Sequence, residues 1–125
     1  MPKKVLIVED EADIAELVRL VLETQDYVVK AVLDPFRAYE ECVAYQPDAI
    51  LIDLRMPRMD GWTVFKTIRA DPRFRTVPIA ILTAKAEEFD AMVGLHVMKA
   101  DGYITKPFGK QELIDKLNAL LAKGT

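Results

Sequence analysis

Hydrophobic positions in this chain fall into two alternating kinds of run. Val5-Leu6-Ile7-Val8, Ala49-Ile50-Leu51-Ile52 and Ile79-Ala80-Ile81-Leu82 are short unbroken aliphatic stretches, the pattern of strands buried on both faces. Tyr27 to Val32 is more polar and predicts a strand at a sheet edge, and Tyr103-Ile104 marks a short fifth strand. Between these runs apolar residues recur at helical spacing. Ile14, Leu17, Val18, Val21 and Leu22 make one stripe, and Leu113, Leu117, Leu120 and Leu121 another, on a last helix opening near Gly109 with Glu112 in its first turn. Asp34-Pro35 supplies an N-cap and a first-turn proline for a helix expected to bury Phe36, Tyr39 and Val43. A third helix spans Gly61 to Ala70 and stops at Asp71-Pro72. The fourth, over about residues 86–98, is expected to pack through Phe89, Met92, Val93, His96 and Val97.

Strands alternating with helices imply an α/β fold with a parallel sheet covered on both faces, because every parallel connection needs a crossover. In such sheets ligands bind beyond the carboxyl ends of the strands, where strand order reverses. The length of 125 residues suits a single domain over 1–125, with no linker, repeat or second composition regime.

Composition narrows the function. The net charge is −3 and the basic residues are scattered, so no nucleic-acid footprint is present and direct nucleic-acid binding is not expected. No apolar run approaches the length of a membrane span or a signal peptide, and the lone Cys42 can form no internal disulfide, so the chain reads as cytoplasmic.

Four of the five strand runs are followed within two residues by a side chain able to do chemistry. Glu9 and Asp10 follow the first, Asp53 the third, Thr83 the fourth and Lys106 the fifth. Each alone is what a strand end often carries to turn the chain or cap a helix. Together they form a set at one sheet edge. Carboxylates about 4 to 5 Å apart repel by roughly 4 kcal/mol at an effective dielectric near 20, so three acids call for a counter-charge. Their oxygens suit Mg²⁺, with Mn²⁺ able to substitute, and Mg²⁺ keeps waters that a phosphate oxygen can replace. Lys106 offers positive charge and Thr83 a hydroxyl donor to phosphoryl oxygens, while Asp53 beside the ion has the chemistry to become an aspartyl phosphate.

Four segments carry a resemblance: Val5-Leu6-Ile7-Val8-Glu9-Asp10-Glu11; Asp53-Leu54-Arg55-Met56-Pro57-Arg58-Met59-Asp60-Gly61; Leu82-Thr83-Ala84; and Ala100-Asp101-Gly102-Tyr103-Ile104-Thr105-Lys106-Pro107-Phe108. In this order and spacing the chain resembles the response-regulator receiver family of two-component signalling. The resemblance implies a flavodoxin-like, doubly wound (βα)5 fold with strand order 2-1-3-4-5. It implies that Asp53 is the phosphoacceptor, that Asp10, Asp53 and the Arg55 backbone carbonyl bind Mg²⁺, and that Glu9 assists through a water. Thr83, the Ala84 backbone and Lys106 would contact the phosphoryl group, and the Lys106-Pro107 peptide would be cis. Thr83 and Tyr103 would form the switch that alters the face of helix four, strand five and helix five. Arg55 and Lys85 stand where the family tunes attack by water, and their long basic side chains lead us to expect slow self-dephosphorylation.

The implied partners are a sensor histidine kinase or histidine phosphotransfer protein on the input side. On the output side they are a downstream protein or an attached output domain, with the chain a monomer or a phosphorylation-promoted dimer. It would catalyse its own phosphorylation without being a turnover enzyme. Two departures from the family pattern stand out. Thr83 and Lys106 are 23 residues apart, one more than the common interval, and Lys99 occupies a place where glycine often ends helix four, so an unusual exit is expected there. His96 and Cys42 are expected as ordinary helical residues, and Trp62 either as a packing residue or as a reporter near the site. The acidic loop after the first strand argues against a flavodoxin, and the placement of Asp53-Leu54-Arg55 after the third strand argues against a haloacid-dehalogenase-type phosphatase. A receiver-like interaction module working without phosphate remains the alternative. Thr125 ends the chain soon after the last helix, as either a complete single-domain regulator or a receiver from a longer protein.

Overall fold

The computed structural model describes residues 2–123; residues 1, 124 and 125 lie outside it, and with them the expectation attached to Thr125. Strands β1 (Lys3–Val8), β2 (Tyr27–Val32), β3 (Ala49–Asp53), β4 (Ile79–Ala84) and β5 (Gly102–Lys106) form one parallel sheet in the order β2-β1-β3-β4-β5. Helices α1 (Ala12–Glu23), α2 (Ala38–Tyr45), α3 (Gly61–Arg69), α4 (Glu88–Met98) and α5 (Lys110–Lys123) follow the strands in turn. This is the doubly wound order expected from the sequence.

Side-chain alternation along the strands divides the core in two. Leu6, Val8, Ile50, Ile52, Ile79 and Ile81 face α2, α3 and α4, meeting Cys42, Val64, Phe65, Ile68 and Ala91. Val5, Ile7, Leu51, Leu82 and Ile104 face the other way, onto Val18 and Leu22 of α1 and Leu113, Leu117 and Leu120 of α5. Each large aliphatic side chain so buried contributes roughly 1.5–3 kcal/mol. The central strands are covered on both sides, whereas β2 lies at an edge and leaves Val28, Lys30 and Ala31 exposed.

The register brings the strand ends to one rim. Val8 pairs with Ile52, Asp53 with Leu82, Thr83 with Thr105, and Ala84 with Lys106. Residues following β1, β3, β4 and β5 are therefore neighbours in space although far apart in sequence.

Three helical faces differ from expectation. In α1 Val18 and Leu22 are buried, but Leu17 is exposed. Asp34 does cap, accepting from the Phe36 amide at 3.0 Å, yet the turn it opens over Pro35–Arg37 is 3₁₀. Its three-residue period resets the phase, so α2 buries Ala38 and Cys42 and leaves Phe36 and Tyr39 exposed. The largest difference is in α4. Phe89, Met92, Val93, His96 and Val97 all face solvent, and Phe89 is 75% exposed. The helix instead packs through Ala91, Leu95 and Met98, its second apolar face. Periodicity identifies a stripe but not which of two stripes meets the sheet.

At the end of α4, Lys99 takes the left-handed conformation (φ 62°, ψ 40°), and its amide donates to the Leu95 carbonyl at 2.9 Å. Lysine thus makes the exit that glycine makes more cheaply, at a cost of about 1 kcal/mol. The connection beyond it is anchored by Asp101, which accepts from the Ile79 amide and from Arg69, each at 2.8 Å.

Candidate functional site

The rim formed by β1, β3, β4 and β5 carries the expected residues. Glu9 follows β1 directly and is held by its amide, which donates to the Val32 carbonyl at 3.1 Å; its side chain is fully buried. Asp10, one residue further out, is partly exposed. Asp53 is the last residue of β3 and is 3% exposed. The loop it enters folds back at once, with the Gly61 amide donating to the Leu54 carbonyl at 2.9 Å. Glu9, Asp10 and Asp53 each offer a carboxylate oxygen within 4.8 Å of the other two.

Lys106, at the end of β5, reaches across to this cluster. Its Nζ donates to Glu9 Oε1 at 2.8 Å and to Asp53 Oδ1 at 3.1 Å. The peptide that follows, Lys106-Pro107, is cis. One ammonium thus pairs with two of the three carboxylates. Burial pushes the Glu9 carboxyl up to about 7; Lys106 pulls it down, and Asp53 adds to the rise. For Lys106, burial opposes the charged form, but Glu9 and Asp53 outweigh it and hold the ammonium above its ordinary value. Asp53 Oδ2 is buried and has no hydrogen-bond partner. A buried acceptor left unmatched costs on the order of 1–3 kcal/mol, a cost that a cation or donor beside Asp53 would relieve.

Thr83 is buried at the end of β4, its Oγ1 donating to the Ala84 carbonyl at 3.3 Å. Ala84 and Lys85 are exposed beside it. Tyr103 is half-buried on β5, its hydroxyl donating to Glu88 Oε2 at 3.3 Å, and Thr105 Oγ1 donates to the same oxygen at 3.1 Å. Arg55 is exposed, and its Nη2 is paired with Glu87 Oε2 at 2.7 Å.

Glu87 and Glu88 are not legible in the sequence as site neighbours, because no spacing rule links the start of α4 to a loop residue 32 positions away or to strand residues 15 and 17 positions away. The place of Trp62 is equally non-local. It packs edge-on to Phe65 with centroids 5.8 Å apart, and it lies against Gly94 of α4. No helix among the described residues is long and apolar enough to cross a membrane.

Comparison with known proteins agrees with this geometry. A family model described as the response regulator receiver domain matches residues 5–118. Among curated proteins the chain is 37% identical to the DNA-binding dual master transcriptional regulator RpaA of Synechocystis and 38% identical to the alkaline phosphatase synthesis transcriptional regulatory protein PhoP of Bacillus subtilis. Each alignment covers 98% of this chain and 50% of the relative, so the chain spans about half the length of these proteins. The chemotaxis response regulator CheY4 of Vibrio cholerae superposes with a TM-score of 0.88 at 28% identity, covering 96% of this chain and 99% of that one. The signal receiver domain of a signal transduction histidine kinase from Syntrophus aciditrophicus gives 0.84 at 32% identity, covering 96% and 90%. Strand order, rim and matching family model converge: the chain belongs to the response-regulator receiver domain family, whose members are signalling domains rather than turnover enzymes.

Proposed function

We propose that this chain is a phosphoacceptor switch in which Asp53 takes a phosphoryl group in a Mg²⁺-dependent reaction. The observation that carries the reading is the buried, unpartnered Asp53 Oδ2 inside a cluster of three acids served by a single lysine. Asp10, Asp53, the Arg55 carbonyl and, through a water, Glu9 would hold the ion. Mg²⁺ supplies the charge neutralisation that lets a phosphoryl group approach three carboxylates.

The chain's own residues do the rest. An Asp53 oxygen attacks phosphorus in line; the bond from phosphorus to the donor's histidine nitrogen, or to the acyl oxygen of acetyl phosphate, breaks, and its electrons leave with the donor. Lys106 transfers part of its pairing from the acids to a phosphoryl oxygen, and the Thr83 hydroxyl turns from the Ala84 carbonyl to another. The small side chain of Ala84 leaves its amide open to a third. Tyr103 then follows Thr83, exchanging its bond to Glu88 for an inward position, and the surface of α4, β5 and α5 changes its fit to a partner. Arg55 and Lys85 restrict water, so the acyl phosphate is lost slowly. The input is a histidine kinase or a histidine phosphotransfer protein. DNA binding in the relative RpaA belongs to a whole protein of which this chain spans half.

A phosphate-independent interaction module would gain nothing from an unmatched buried acceptor. The test is intact-mass measurement after exposure to acetyl phosphate and Mg²⁺. The parent should gain the mass of one phosphoryl group, and Asp53→Asn and EDTA-treated parent should gain none. An unmodified parent, or equal modification of Asp53→Asn, would overturn the proposal.

A further inference from the structure

The start of α4 is tied down by charge rather than by apolar burial. The 3₁₀ turn over Lys85–Glu87 buries no residue, and α4 itself fully buries only Ala91. Two neighbouring acids make the ties. Glu88 accepts from Tyr103 and Thr105 of β5, and Glu87 accepts from Arg55, across 32 positions of sequence. Arg55 stands two residues beyond Asp53, on the loop that leaves the phosphoacceptor strand. The arginine of this pair therefore belongs to the site, and the glutamate to α4.

A guanidinium presents one planar fork, and it favours the anion with more charge and more acceptor oxygens. Glu87 offers a single carboxylate at 26% side-chain exposure. A phosphoryl group on Asp53 would bring roughly two negative charges and several strong acceptors to the loop that carries Arg55. We propose that Arg55 and Glu87 form an anion-released strap: the pair holds the turn ahead of α4 at rest, and phosphoryl on Asp53 draws Arg55 away and frees that turn. The proposal rests on the reading of Asp53 as phosphoacceptor. It gives Arg55 a second task besides restricting water, and it gives α4 an input separate from Thr83 and Tyr103. The Glu88 tie lies one residue further on, so release of Glu87 loosens the turn while the helix pivots about β5.

The molecule carries its own reporter. Trp62 is the single tryptophan, and it lies so close to α4 that a Cβ built on Gly94 would sit 2.2 Å from its Cζ2. Any displacement of α4 changes what the indole touches.

The test compares the parent with Glu87→Gln, an isosteric change at a partly exposed position, by amide exchange over residues 85–91 and by Trp62 emission. At rest Glu87→Gln should exchange roughly two- to five-fold faster than the parent, the range set by one surface ion pair. Raising the salt concentration should speed the parent and leave the variant unchanged. Beryllofluoride with Mg²⁺ should speed the parent by more than Glu87→Gln and close the resting gap between them, with a matching change in emission, because the Tyr103 step at Glu88 acts in both proteins and the strap only in the parent. Equal resting exchange in the two proteins, or an equal beryllofluoride response, would overturn the strap. If the parent gains no mass from acetyl phosphate, the phosphoacceptor reading falls and takes the release step with it. If it gains mass while the two proteins exchange alike, the strap alone is lost.

Discussion

Replacing Lys106 by methionine is expected to lower the stability of the metal-free protein by about 3 kcal/mol at pH 8 and by only about 1 kcal/mol near pH 5. Methionine keeps the volume of the side chain, so the loss isolates the charge. At pH 8 the parent sets the ammonium against Glu9 and Asp53, and the variant leaves that buried cluster without a cation of its own. The sign with pH follows from Glu9. Its carboxyl sits near 7 in the folded protein against 4.5 in the unfolded chain, so folding takes up a proton between those values. Stability of the parent therefore falls as pH climbs through that window. Without Lys106 the Glu9 carboxyl is pushed higher still, and the fall continues above pH 7. Near pH 5 Glu9 is protonated in both proteins, so only the contact with Asp53 distinguishes them. Mg²⁺ at pH 8 should restore most of the difference by replacing the missing charge. Urea unfolding at the two pH values, with EDTA and with Mg²⁺, measures all of this; a pH-independent loss, or no recovery with Mg²⁺, would contradict the electrostatic account.

Gly61→Ala should be nearly as damaging, for a different reason. A Cβ at Gly61 would stand 2.3 Å from the Asp53 carbonyl oxygen and 2.8 Å from Leu54 Cα. Both are backbone atoms and cannot rotate away. The φ of Gly61 is not positive, so the requirement is closeness of approach and not conformation. The residue opens α3 beneath the Asp60 cap, and its amide closes the loop from Leu54 at 2.9 Å. Making room means shifting the strand end that carries Asp53. Overpacking of this kind costs about 2–3 kcal/mol, and a misplaced Asp53 should weaken beryllofluoride and Mg²⁺ binding about tenfold or more. Thermal melts and titration by Trp62 emission would show both effects. Unchanged ligand affinity in a destabilised variant would separate the loop's role in folding from any role in positioning Asp53.

The contrast between these positions explains what could be read in advance. Strands announce themselves because a two-sided burial needs an unbroken aliphatic run, and Glu9, Asp53, Thr83 and Lys106 lie one or two residues beyond those runs, so their place at the rim is legible in the sequence. The ties that govern α4 obey no such rule. Arg55 of the loop after β3 finds Glu87 in the turn ahead of α4, and Trp62 of α3 finds Gly94 of α4, through tertiary contacts that local spacing does not encode. The orientation of α4 departs from expectation for a related reason. Phe89, Met92 and Val93 make the stronger stripe, yet the sheet takes the smaller one through Ala91 and Leu95. Ala91 is the residue of α4 that the core encloses fully, and the bulky stripe is left outward. In α2, a 3₁₀ turn of three residues was enough to shift the buried face from Phe36 and Tyr39 to Ala38 and Cys42.

That same change of face sets the chemistry of the protein's single thiol. Cys42 is fully enclosed between α2 and the sheet, and burial, with a smaller push from Glu41, raises its pKa to about 12. At neutral pH it holds almost no thiolate, and reagents that alkylate or oxidise cysteine find neither the ion nor a path to it. Such a reagent can react only in molecules whose α2 has parted from the strands. The rate at which Cys42 is labelled is thus a clock for spontaneous opening of this half of the core, and it needs no added probe.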